Sequence, residues 1–276
     1  NESTSNQHSS AVSYLINSWG LPLKSALHVS KLLKFQPQEQ TGLALAFLKN
    51  YGFSQTQVSL LARNHPNLLV CNAEETIMPI FQFFESIGFL RSEVVKLVTN
   101  CPHLLGRSLE EYIKLGFLFL RDLLQSGYEE VVVVMKRAHY FMNQDVRTFL
   151  PPVINLLRRN GVHESGIRKL LFYCPGIFRM NLDKLNKVVG EAKEMGFEPG
   201  KMMFINVIST FASLEKSTRQ GKFDVYMRWG LSEEEVSAAF QKRPFFLKPS
   251  EEQITGVMDL FVNKLRWGAS LVAITL

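Results

Sequence analysis

The side chains of this 276-residue chain whose type and spacing could do chemistry are cations. Arg63, Lys96, Lys136, Arg137, Arg168, Lys169, Lys242 and Arg243 recur at and just beyond the ends of short apolar segments. Guanidinium and ammonium groups at a recurring phase suit one task, the tracking of phosphates along a polyanion, where each contact displaces a counterion. Any one of them alone reads as ordinary surface charge, so it is the recurrence that favours binding. Residues 140–190 hold eight Lys/Arg against three Asp/Glu, a local +5 within a chain total of +6.

Other chemistries lack their residues. There is no G-x-x-x-x-G-K-[ST], no strand-borne G-x-G-x-x-G, no G-x-S-x-G and no H-E-x-x-H. Acidic residues are scattered rather than paired, and the cluster Glu233, Glu234, Glu235 opens a helix, where it complements the macrodipole. An enzyme is not expected. Cys101 and Cys174 each precede a proline, and His103 and His139 follow at a related phase, with no CxxC or HxxxH to converge on an ion. These read as structural thiols and partly exposed histidines, with no metal and no cofactor. Of the 21 Phe, most fall on apolar faces and read as core.

The elements that must position the cations form a repeat. Segments ending in Gly20, Gly52, Gly88, Gly127, Gly161, Gly196, Gly230 and Gly268 resemble one another, at spacings of 32, 36, 39, 34, 35, 34 and 38 residues. Fourteen residues after Gly52, Gly88, Gly161 and Gly230 stand Pro66, Pro102, Pro175 and Pro244, each followed by large apolar residues. The third full unit has Ala138 where the proline belongs, and the fifth has Thr210. Apolar residues at helical spacing precede each glycine, which supplies the positive φ of a helix C-cap. Ser54 with Gln57 and Ser232 with Glu235 fit the capping box that starts a second, shorter helix. The proline then stops that helix, because its ring forbids the ladder and restricts its predecessor. The β-branched run 131–134 lies at the second-helix phase and reads as helix. Trp19, Trp229 and Trp267 each precede a repeat glycine and read as packing between repeats.

Two helices per unit, neither able to bury its face alone, make an all-α solenoid of about 35-residue repeats. Residues 1–10 read as a disordered polar leader and 11–276 as a single solenoid whose last repeat is truncated. With 46% hydrophobic residues the composition excludes intrinsic disorder, and no apolar run is long enough to span a bilayer. Three cysteines do not make a disulfide framework.

The composite pattern resembles the mitochondrial transcription termination factor (mTERF) family. GFSQTQVSLLARNHPNLLV from Gly52, GFLRSEVVKLVTNCPHLLG from Gly88 and GVHESGIRKLLFYCPGIF from Gly161 carry the resemblance, and the stretch from Lys216 to Leu247 is similar to the plant branch. The resemblance implies an organelle protein, mitochondrial rather than chloroplast, that binds nucleic acid. The partner it implies is double-stranded DNA, in regulating transcription or its termination. The alternative is structured RNA, in intron splicing or rRNA maturation. No membrane and no small-molecule substrate are implied, and a monomer is expected. A reading of another class also stands: a protein-binding scaffold without nucleic-acid contact, motivated by the modest net charge.

Overall fold

The computed structural model describes residues 2–32 and 39–275, and every regular element among them is helical. The chain parts into two compact units, residues 1–149 and 150–276, where the sequence suggested one continuous solenoid from residue 11. The first holds α1 (Glu2–Asn17), α2 (Leu23–Leu32), α3 (Glu39–Tyr51), α4 (Gln55–Asn64), α5 (Ala73–Thr76), α6 (Met78–Ser86), α7 (Arg91–Asn100), α8 (Leu115–Leu124) and α9 (Tyr128–Arg137). The unit boundary falls inside α10 (Val146–Arg159). The second unit continues with α11 (Glu164–Tyr173), α12 (Leu182–Glu194), α13 (Met202–Ser213), α14 (Lys216–Arg228), α15 (Glu233–Lys242), α16 (Glu251–Met258) and α17 (Ala269–Thr275).

The stretch read as a polar leader includes the start of α1, from Glu2 onward. It contains neither Gly nor Pro, so a ladder set up over the buried Ala11, Val12 and Leu15 can run on towards the N-terminus.

Five repeats run as a first helix, a left-handed stop, a second helix and a short 3-10 turn. At Gly52 the stop is a Schellman motif: Gly52 N–H donates to the Lys49 carbonyl (3.1 Å) and Phe53 N–H to the Leu48 carbonyl (3.0 Å). The same pair of bonds closes the helices before Gly88, Gly161 and Gly196. Second helices then start on the expected capping boxes, Ser54 with Gln57 and Ser232 with Glu235. The 3-10 turns Pro66–Leu69, Pro102–Gly106, Pro175–Arg179 and Pro244–Leu247 begin on the repeat prolines. Their apolar pairs, such as Leu104 with Leu105 and Ile177 with Phe178, are buried. Full burial of such a side chain is worth about 1.5–3 kcal/mol, so the turns carry core and not just connection.

Two of the eight glycines do not do what their alignment suggests. Gly127 has φ −71° and N-caps α9, while the left-handed residue is Gln125 (φ 50°, ψ 45°). In the last repeat Arg266 (φ 59°) takes that place and Gly268 does not. The left-handed residues Gly20, Gly52, Gly88, Gln125, Gly161, Gly196, Gly230 and Arg266 are then 32–37 residues apart, against 32–39 for the glycines. This register also moves the missing proline: the turn His139–Met142 begins with His139, so His139 and not Ala138 stands at the proline's place. In both repeats with a non-glycine stop, the first helix contains a π turn, Leu109–Lys114 or Asp259–Lys264.

Gln125 therefore holds a conformation that costs a residue with a Cβ about 1–2 kcal/mol. Gln125→Gly is expected to stabilise the first unit by about 0.5–1 kcal/mol, read as a higher urea midpoint at unchanged m-value.

The repeat stopped by Gly196, the sixth when counted from Gly20, is built differently. From left-handed residue to next first helix is 21 residues in five repeats (Gly52 to Ala73, Gly88 to Leu109, Gln125 to Val146, Gly161 to Leu182, Gly230 to Glu251) and 20 from Gly196 to Lys216. There α13 starts three residues late, behind the loop containing Pro199 and Gly200, and runs on through Thr210 to Ser213. Without a proline nothing stops it, and the hydroxyls of buried Ser209 and Thr210 donate back to the Ile205 and Asn206 carbonyls. No 3-10 turn follows.

Two buried cations tie the seventh repeat. Arg219 donates to Glu191 (2.5 Å) with its guanidinium 3.8 Å from the Phe211 ring centre. Lys222, 4% exposed, donates to the Leu247 carbonyl (2.7 Å) at the end of the Pro244–Leu247 turn, and burial pushes its ammonium below the ordinary lysine range.

Candidate nucleic-acid interface

Within each unit the second helices bury the same positions, which sorts the cations. Counting from the left-handed residue as zero, core positions are +6, +9 and +10: Val58, Leu61 and Ala62 in α4; Val94, Leu97 and Val98 in α7; Val131, Val134 and Met135 in α9. In the second unit they are Ile167, Leu170 and Leu171 in α11, and Val236, Ala239 and Phe240 in α15. Positions +8, +11 and +12 lie on the opposite face of a 3.6-residue helix. Lys96 and Lys169 stand at +8, Arg63 and Lys136 at +11, Arg137 and Lys242 at +12, and all six are exposed.

The other two sequence candidates sit elsewhere. Arg168, at +7, borders the core and is half-buried, with Glu164 inside its electrostatic reach. Arg243, at +13, is the C-cap of α15, where its N–H donates to the Ala239 carbonyl.

Lys136 is exposed but engaged: its ammonium lies 2.6 Å from Glu93 and 5.2 Å from the Phe89 ring centre. Burial favours the neutral Glu93 carboxyl, yet hydrogen bonds from Lys136 and from Leu90 N–H outweigh it and hold the carboxyl below its ordinary range. Lys169 donates to the Met202 sulfur at 3.1 Å, a weak contact that leaves its charge available. Among the described residues Arg63, Lys96 and Lys242 make no ion pair, whereas first-helix cations are drawn into them: Arg158 with Glu164 and Lys184 with Glu215. The Arg158 guanidinium keeps Glu164 below the usual carboxylate range.

The sixth repeat interrupts this outward series. Its +8, +11 and +12 positions are Phe204, Val207 and Ile208, all buried, and the displaced α13 carries no charged residue to turn outward.

The sequence reading missed residues around the 3-10 turns. Arg107 is exposed with its guanidinium 4.8 Å from the Tyr112 ring centre, and the His65 and His103 rings stand 4.8 Å apart. Arg147 makes a bidentate pair with Asp145 (2.6 and 2.9 Å). Their signal was available: Arg107, Arg179 and Lys248 all follow a Pro-led turn directly or end it. The thiol of Cys101 is buried, donates to the His139 carbonyl (3.0 Å), and is pushed up to about 11 by that burial. Among the described residues no three His, Cys, Asp or Glu side chains gather into a metal site, and no helix is long and apolar enough to cross a membrane. Of the three tryptophans only Trp19 is fully buried; Trp267 is 41% exposed against Phe261.

Residues 45–270 match the mTERF family model. The chain belongs to the mTERF family. Its helical-repeat architecture is that of the family, whose members are organellar nucleic-acid-binding factors of gene expression and are not enzymes. The match begins in α3 and ends in α17, so it includes α4, α7, α9, α11 and α15. No curated protein matches the chain.

Proposed function

We propose that this mTERF-family chain binds double-stranded DNA through the outward cations of its second helices and so regulates transcription, or its termination, in mitochondria. The observation that carries this reading is the recurrence of Arg63, Lys96, Arg137, Lys169 and Lys242 at +8, +11 or +12 of successive second helices. Cations one helical turn or one repeat apart meet phosphates without reading bases, so they supply affinity, and base-edge contacts supply sequence preference. The stretch from Lys216 to Leu247 supports a place in the plant branch of the family.

The test is equilibrium binding of the chain to matched duplex DNA, duplex RNA and single-stranded RNA, each titrated with salt. Duplex DNA is expected to bind tightest, with log K falling by several units per log salt. A tighter RNA complex would move the role to intron splicing or rRNA maturation. Absence of binding to all three would favour a protein-binding scaffold.

Within the second unit, replacing Arg168 and Lys169 together by Gln is expected to lower the slope by about 0.9–1.8. Phase assigns most of that to Lys169, so Lys169→Gln alone should account for roughly 0.9 of it. An unchanged slope at unaltered helicity removes the pair from the interface.

A further inference from the structure

Between α7 and α9 in the first unit lies a notch of about 110 Å³. That is room for three to four waters at ~30 Å³ each, the size of a tetrahedral oxyanion and not of a nucleoside. Lys96 and Asn100, one helical turn apart on α7, line one wall, and Lys136 and His139 line the other, with Phe89 among the lining residues. Glu93 also lines it. Its Oε2 is occupied by the Lys136 ammonium (2.6 Å) and by Leu90 N–H (2.8 Å), so the notch keeps the net positive charge of Lys96.

His139 is the telling residue. The 3-10 turns Pro66–Leu69, Pro102–Gly106, Pro175–Arg179 and Pro244–Leu247 all open with proline, and the turn at the same place here opens with a histidine. The backbone before it, Ala138 at φ −118° and ψ 49°, resembles that of Cys101 (−129°, 64°) and Cys174 (−136°, 52°), the residues before Pro102 and Pro175. The turn therefore suits proline, and an imidazole stands instead where two lysines and an amide meet. A local departure from the repeat's own rule, at the point where donors converge, marks function and not packing.

We propose that this notch seats one backbone phosphate of the bound nucleic acid, with Lys96 as its cation and Asn100 and His139 as hydrogen-bond donors, while Lys136 is held in place by Glu93. The inference rests on the nucleic-acid reading above and names a point of contact within it.

His139→Pro and Lys96→Gln in the full chain test it, by binding to matched duplex DNA across a salt series. His139→Pro should leave the melting temperature equal or higher, since proline suits the first position of the turn. It should weaken binding about 3–10-fold at fixed pH, because a hydrogen-bond donor to the phosphate is lost. Lys96→Gln should weaken binding to a similar extent and lower the slope by about 0.9. If both variants bind with wild-type affinity and slope, the notch is not a phosphate seat while the general reading stands. If the wild-type chain binds no duplex, the general reading falls and this proposal with it.

Discussion

Replacing Arg63, Lys96 and Arg137 together by glutamine is expected to weaken duplex DNA binding about 10²-fold near ~150 mM salt and to lower the log K–log salt slope by about 2.7. These three lie in the first unit on three successive second helices, at +11, +8 and +12, turned away from the core positions +6, +9 and +10. The substitution removes charge from exposed positions, where effects on stability stay within about 0.5 kcal/mol each, so folding should survive it. Circular dichroism and a urea midpoint check that. Lys184→Gln is the matched control, since Lys184 lies on a first helix and is paired with Glu215; its slope should change by much less than one. A triple variant with the wild-type slope would show that the second helices do not face the nucleic acid. Affinity would then have to come from the turn-edge residues such as Arg107.

Phe240→Ala is expected to destabilise the second unit by about 3–5 kcal/mol, the range for truncating a buried aromatic ring. Phe240 is fully buried at +10 of α15, and its ring meets three others: Phe211 of α13 stacked at 5.6 Å, Phe197 edge-on at 6.0 Å and Phe223 of α14 at 6.2 Å. Those rings come from each element that the sixth repeat rearranges: the loop before the late-starting α13, α13 itself, and α14, which follows without a turn. Phe240 therefore ties together the three elements around this rearranged repeat. Urea unfolding measures the effect. Phe245→Ala, whose ring is 44% exposed under the Lys248 ammonium, should cost under about 1 kcal/mol in the same assay. Equal losses for the two would contradict the assignment of Phe240 as the centre of that cluster.

The sixth repeat also bears on how the interface is laid out. Its second helix contributes Phe204, Val207 and Ile208 where other repeats contribute cations, so in the second unit the charges of α11 and α15 are separated by an apolar repeat. A contact census from graded substitutions should accordingly find no salt-dependent contribution from α13.

Features that depend on near neighbours along the chain are legible before folding. A Schellman stop needs a glycine and an apolar residue after it, a capping box needs Ser with Gln or Glu three residues on, and a Pro-led turn needs proline. All are fixed-offset patterns that survive without tertiary context, so the helical repeat, the second helix over 131–134 and the phase of the cations were legible. So was the family. Tertiary structure decided matters that hinge on which of two similar local solutions packs better. Gln125 rather than Gly127 takes the left-handed position, and Gly127 instead N-caps α9. In the sixth repeat a shortened spacing and a missing proline leave α13 free to slide until its apolar surface is covered. The availability of each charge was the least legible feature. Lys136 meets Glu93 43 residues earlier and Arg219 meets Glu191 28 residues earlier, and long flexible side chains find such partners only once neighbouring repeats have stacked. Lys136, spent on a carboxylate, and Lys96, open to a phosphate, both stand on outward faces of second helices and become different only in three dimensions.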